Sequence, residues 1–229
     1  MPLLADIDVF HMHNPRCAGS AINKALYKAQ LLKLKSLRPQ VLDVENFYGN
    51  GRIDGQHLEL DHLSISQVIA RMTVNQIHNL HFFSIVRHPL DRFISDFLRK
   101  KNRNDERYIS ASNVTLSEYL EAFLEKVSTK PESFNNQFNA AHFWPQSWFA
   151  DFNAHPDIRK SSILKFEDLE SEWKHFQSLL KFNAPLPAVK VNASKPDNEG
   201  YRTQYFIKTD LYKAFKKFYH RDYIAFGYN

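Results

Sequence analysis

Ile7-Asp8-Val9-Phe10-His11-Met12-His13-Asn14-Pro15-Arg16-Cys17-Ala18-Gly19-Ser20 is the stretch whose reading decides the fold. Ile7 to Met12 is short, apolar and rich in strand formers, and Asn14-Pro15 cannot continue a regular element, so a strand followed by a loop is predicted. Ser20 is a good N-cap, and beyond it Ile22, Leu26, Ala29, Leu32 and Leu34 recur at helical spacing with lysines between them. That spacing predicts a helix ending near Arg38-Pro39. A strand, a loop of small residues and a helix, in that order, present backbone N–H groups and a helix N-terminus that can cradle an anion. Read alone, the same residues also describe an ordinary tight turn between a strand and a helix.

Further along, Val41 to Val44 reads as a second strand, and Asn46 to Gly55, with three glycines and turn-forming polar residues, reads as a loop. Ser64 to Met72 has a helical pattern. Phe82-Phe83-Ser84-Ile85-Val86 is a continuous apolar run of the kind buried on both faces of a parallel sheet, and predicts a central strand. It stops at Arg87-His88-Pro89, where Asp91 is placed to cap a helix carrying Phe93, Ile94, Phe97 and Leu98 on one face. Thr115 to Lys126 is again helical. Ser161 to Phe166 is a short strand-like run, Glu167-Asp168 opens a helix through Leu180, and Ala184 to Gly200 reads as a long surface loop. Strands that alternate with helices predict an α/β sandwich with a mostly parallel sheet, because parallel neighbours need crossover connections.

The chain of 229 residues, 43% hydrophobic and 24% charged, is long enough for one substantial core, so a single domain over residues 1–229 is expected. Its longest apolar runs are far too short to span a bilayer, and no secretory leader pattern is visible, so no membrane role is expected. The lone Cys17 excludes an internal disulfide and a cysteine-based zinc cluster, which fits a reducing, cytoplasmic setting. A formal charge of +5 is far below what a dedicated nucleic-acid binder carries, and no nucleic-acid partner is expected. The loop at 14–20 lacks the spaced glycines and the Lys-Ser/Thr pair of the nucleoside-triphosphatase loop, which demotes ATPase and GTPase activity.

A second element gives the first its meaning. Arg87-His88-Pro89-Leu90-Asp91-Arg92-Phe93-Ile94-Ser95 follows a predicted central strand, so an arginine stands at a strand end and a hydroxyl on the next helix. Open α/β sheets bind nucleotides at such strand ends. Phe10 to Ser20 resembles the 5'-phosphosulfate-binding loop of the sulfotransferases, and Val86 to Ser95 resembles that family's 3'-phosphate motif. Also matching in order are His62-Leu63-Ser64, His142 with Pro145-Gln146, Phe166-Glu167-Asp168-Leu169, and the ending Tyr219 to Tyr228. The similarity covers nearly the whole chain and is closest to the branch that includes heparan sulfate 2-O-sulfotransferase.

The resemblance implies a P-loop-like three-layer α/β sandwich and transfer of a sulfuryl group from 3'-phosphoadenosine 5'-phosphosulfate to a hydroxyl, most naturally of a carbohydrate, with no metal. It assigns Pro15, Arg16, Cys17, Ala18, Gly19 and Ser20 to the 5'-phosphosulfate, and Arg87 and Ser95 to the 3'-phosphate. Lys195 and Arg202 would close over the nucleotide, and His142 and Gln146 would lie near the acceptor. Arg16 occupies the position of the family's lysine, where it keeps the positive charge that stabilises the leaving phosphate. Cys17 and Ala21 replace two hydroxyl residues, which opens an alternative: a noncatalytic domain that binds the donor or its desulfonated product. Transfer to an alcohol also needs a base near neutral pKa, for which His62 is the first choice and His57 and Glu59 are alternatives.

Overall fold

The computed structural model describes residues 3–4, 7–31, 50–53, 56–59, 62–103, 114–129, 140–187 and 209–229. Two compact units emerge, one from Met1–Arg87 with Gln146–Val191, the other from His88–Pro145 with Asn192–Asn229.

The first unit holds the sheet. Strands β1 (Leu3–Leu4), β2 (Val9–His11), β5 (His81–Val86) and β6 (Lys160–Lys165) lie side by side in that order. β1 is an antiparallel edge, whereas β2, β5 and β6 are parallel, with Phe10 opposite Phe82 and Val86 opposite Lys165. The apolar run at 82–86 is thus the central strand its composition predicts, with Phe82, Phe83, Ser84, Ile85 and Val86 all buried. A separate antiparallel ribbon, β3 (Asn50–Ile53) with β4 (Gln56–Glu59), takes residues 50–53 out of the loop expected over Asn46 to Gly55. Gly51 does not prevent pairing, since it sits within a strand opposite Leu58.

Alternation of side chains along the strands gives the sheet two apolar faces. One face carries Phe10, Met12 and Phe82, covered by α2 (Ile65–Ile69), α3 (Val74–Asn79) and Phe152. The other carries Val9, Phe83 and Ile85, covered by α1 (Gly19–Lys28) and by the helix Leu169–Leu180 through Trp173 and Phe176. Helix, sheet and helix therefore form the three layers expected. α2 and α3 each begin with a capping box, Ser64 with Gln67 and Thr73 with Gln76.

Both ends of α1 differ from the sequence expectation. The N-cap is Ala18 in the left-handed region (φ 63°), and Ser20 lies inside the first turn. The helix ends at Lys28 because Gln30 turns left-handed (φ 59°), so the Gln30 N–H bonds Tyr27 O and the Leu31 N–H bonds Leu26 O, both at 3.0 Å. These two bonds form a Schellman closure. Val41 to Val44 lies outside the described residues.

The second unit is helical. It contains α4 (Pro89–Arg103), α5 (Leu116–Thr129), α8 (Asp210–Phe218) and α9 (His220–Ala225); α6 (Ser147–Ala150) and α7 (Leu169–Leu180) belong to the first unit. α4 starts at Pro89, which fixes φ and lacks a donor, so Asp91 falls within the first turn rather than capping it. Phe93 on α4 packs within 5.4–6.0 Å of Tyr119, Phe123, Phe143 and Phe215, ring centre to ring centre, making an aromatic core. Tyr219 joins it and donates its hydroxyl to Phe143 O at 2.7 Å.

Candidate functional site

In the first unit, three features meet at the C-terminal ends of the parallel strands. The loop 12–18 leaves β2, with the Met12 N–H still bonding Phe83 O at 2.8 Å. Arg87 follows the last paired residue of β5, and Phe166 follows the last paired residue of β6. The Arg87 guanidinium carbon stands 4.3 Å from the centre of the Phe166 ring, a cation–π contact that gives the charged head a fixed platform.

The loop itself is built on left-handed residues that are not glycine, Arg16 (φ 67°) and Ala18 (φ 63°). Such conformations cost energy and need support from the surroundings. Support comes from Asn14, which is buried and donates through Nδ2 to Ile85 O and to Gln146 Oε1, each at 3.1 Å. Cys17 is also buried; its Sγ is 3.3 Å from Gln146 Oε1, and its side chain joins the α1–α7 face of the core. The loop ends as α1 begins. Ala18 O accepts from the Ala21 and Ile22 N–H groups, while the N–H groups of Ala18, Gly19 and Ser20 make no backbone hydrogen bond among the described residues. Three donors at a helix start, an exposed Ser20 side chain, and the cations Arg16 and Arg87 form a donor set suited to a polyanion.

A row of histidines runs beside the loop. His11 stacks on Phe83 with ring centres 4.6 Å apart, His13 lies 5.9 Å from His11, and His62 meets His13 edge-on at 5.2 Å. Burial lowers the pKa of His11 to about 3, so its imidazole is neutral and hydrogen-bonded with the Asn23 side chain. His62 is 9% exposed at the entrance to α2. Of the alternative bases, His57 and Glu59 lie on β4. Lys195 and Arg202 lie outside the described residues.

Gln146, expected beside the acceptor, is 0% exposed and turned inward, with Oε1 accepting from the Arg87 N–H at 2.8 Å and Nε2 donating to Arg87 O at 2.7 Å. In the second unit, His142 donates from Nδ1 to Asp96 at 2.8 Å, and Tyr119 donates to the same carboxylate at 3.3 Å. Arg92 is buried and gives its two terminal nitrogens to Trp144 O (2.8 Å), His142 O (3.0 Å) and Ala141 O (3.5 Å). Ser95 is buried on the same helix.

Asn14 entered the sequence reading only as the start of the loop, Phe166 and Arg92 only as members of matched motifs, and neither His13 nor Asp96 was given a role of its own. One signal was readable: Gln146 sits amid Phe143, Trp144, Trp148 and Phe149, and an amide buried with aromatic residues must find hydrogen-bond partners. Among the described residues no group of three or more His, Cys, Asp and Glu is arranged to hold a metal ion, and no helix is long and apolar enough to cross a membrane.

The sulfotransferase family model matches residues 19–229. No curated protein and no solved structure matches the chain.

Proposed function

The chain belongs to the sulfotransferase family, and on that premise we propose that its single domain, residues 1–229, moves a sulfuryl group from 3'-phosphoadenosine 5'-phosphosulfate to a carbohydrate hydroxyl. The observation that carries the donor assignment is the pairing, at adjacent strand ends, of the 14–20 loop with Arg87. The loop offers backbone donors and Arg16, and Arg87 stands on Phe166 with its guanidinium oriented. Two cationic centres flanking a helix start match a nucleotide carrying one anionic group at each end. Ser95, Lys195 and Arg202 enter the proposal through their positions in the sequence motifs, and so does His142 for the acceptor. A buried lone cysteine fits a cytoplasmic setting.

The donor, when bound, supplies the sulfuryl group. His62 takes the proton of the acceptor hydroxyl as the new oxygen–sulfur bond forms. Arg16 and the N–H groups at the start of α1 stabilise the negative charge left on the phosphate as its bond to sulfur breaks, releasing adenosine 3',5'-bisphosphate. Arginine stays protonated, so its role is electrostatic.

A second reading, binding without turnover, is favoured by one observation: the Cys17 side chain is buried on Gln146 and offers no group to the loop's outer side. The deciding experiment incubates the protein with donor and a panel of glycans and follows sulfate transfer beside calorimetric binding of the bisphosphate. Transfer that His62→Ala abolishes while leaving nucleotide affinity intact is the expected result. Tight bisphosphate binding with no transfer to any acceptor selects the second reading, and absence of binding overturns both.

A further inference from the structure

We propose that Gln146 is a positioning residue that couples the two ends of the donor site, in place of the acceptor contact its sequence position implied. The proposal rests on the donor reading above for its nucleotide consequences. Its structural half stands on four hydrogen bonds.

Arg87 lies one residue beyond the β5–β6 ladder, which ends at Val86 and Lys165. Its backbone N–H and C=O are met instead by the Gln146 amide, oxygen to N–H at 2.8 Å and nitrogen to C=O at 2.7 Å. A primary amide can do this because it carries an acceptor and a donor in the same spatial relation as a peptide group. Gln146 thereby supplies one more rung to the strand and fixes the backbone from which the Arg87 side chain leaves. The same Oε1 also receives Asn14 Nδ2 at 3.1 Å and Cys17 Sγ at 3.3 Å. One oxygen therefore touches both the strand end bearing Arg87 and the loop bearing Arg16. The amide is fully buried, so water does not compete for these bonds.

Nothing else of similar volume reproduces the pattern. Glu keeps the acceptor but loses the donor to Arg87 O and brings a negative charge beside an anion-binding loop. Met leaves the Arg87 peptide and the Asn14 amide without that partner. In either case the loop and Arg87 lose their common anchor, and the preference for a nucleotide with anionic groups at both ends falls with it.

The test compares wild type, Gln146→Glu and Gln146→Met in the full chain, with folding followed by circular dichroism. Two nucleotides serve as probes: adenosine 3',5'-bisphosphate and adenosine 5'-phosphosulfate, which lacks the 3'-phosphate. Wild type is expected to favour the first, and each variant to lose at least tenfold of that preference. Combining Gln146→Met with Arg87→Ala should cost little more than Arg87→Ala alone. A folded variant that keeps the wild-type preference, or additive losses in the double variant, overturns the proposal, because a merely destabilised protein would weaken both probes alike. Alkylation of Cys17 in the folded protein gives a readout independent of nucleotide. Its rate should rise at least tenfold in either variant, and an unchanged rate overturns the tie between Gln146 and the loop. Wild type that binds neither probe while Cys17 reactivity rises in the variants overturns the donor reading and the nucleotide coupling, and supports the loop anchor.

Discussion

The ring of His13 lies so close against Gly19 that a β-carbon at that position would stand 2.3 Å from His13 Nε2. A glycine at the first position of α1 is therefore demanded by a packed imidazole. The same ring meets His62 edge-on, so one side chain touches both the helix start that offers N–H donors and the residue proposed as the base.

Gly19→Ala forces that contact apart, and overpacking of this kind costs about 1–3 kcal/mol. Denaturant unfolding should show a loss in that range, together with weaker bisphosphate binding. The double variant Gly19→Ala with His13→Ala should recover most of the stability, since the atoms in conflict are gone. Equal losses in the single and double variants would show that His13 is not what excludes a side chain.

Phe166→Leu removes the platform under Arg87 while leaving the arginine in place. A cation–π contact contributes on the order of 0.5–2 kcal/mol, so bisphosphate affinity should fall about 2- to 30-fold. Arg87→Ala should cost more than this, and its effect should not deepen further when Phe166→Leu is added. Calorimetric titration of the three variants checks both statements.

Arg92 holds the carbonyls of Ala141, His142 and Trp144 with a planar fork. Lysine retains the charge but cannot direct two nitrogens at separate carbonyls, so Arg92→Lys should destabilise the fold by about 1–3 kcal/mol. Arg92→Met should cost at least as much. The expected signature is a lowered urea midpoint with unchanged slope; a midpoint equal to wild type would show that the fork does not hold this segment.

His11 makes stability depend on pH. Its folded pKa, about 3, lies below the ordinary value of 6.5, so the unfolded chain binds the proton first as pH falls. Its contribution is complete above about pH 6.5 and is lost progressively as pH drops toward 3, on the order of 1 kcal/mol per pH unit. His11→Gln keeps a hydrogen-bonding group for Asn23 without titrating in this range. Urea unfolding between pH 7 and pH 4 should therefore give a shallower decline in the variant, and parallel curves would assign the acid sensitivity to other groups.

Much of the fold was legible in the chain. The run Phe82 to Val86 announced a central strand because its apolar residues fall at both odd and even positions, so that both faces must be covered, and all five residues are buried. The helical pattern from Ser64 announced α2, which starts at Ile65 where the Ser64 hydroxyl and Gln67 close a capping box, but ends at Ile69 rather than Met72. Local chemistry misled where two local signals competed. Leu32 and Leu34 extended the helical periodicity of α1, yet Gln30 in a left-handed conformation ends the helix, and nothing in the residue type forces that choice. Ser20 looked like a cap, but the loop conformation put Ala18 there.

The order of strand, small-residue loop and helix around residues 14–20 and the arginine at the end of β5 were determined by the sequence, because each is set by neighbours a few positions apart. What tertiary structure decided is which groups support them. Gln146 reaches Asn14 across 132 residues and Arg87 across 59, and Phe166 underlies Arg87 only because β5 and β6 are parallel and in register. Hydrogen bonds and ring contacts of that range depend on strand order and register, which no local pattern of residues encodes.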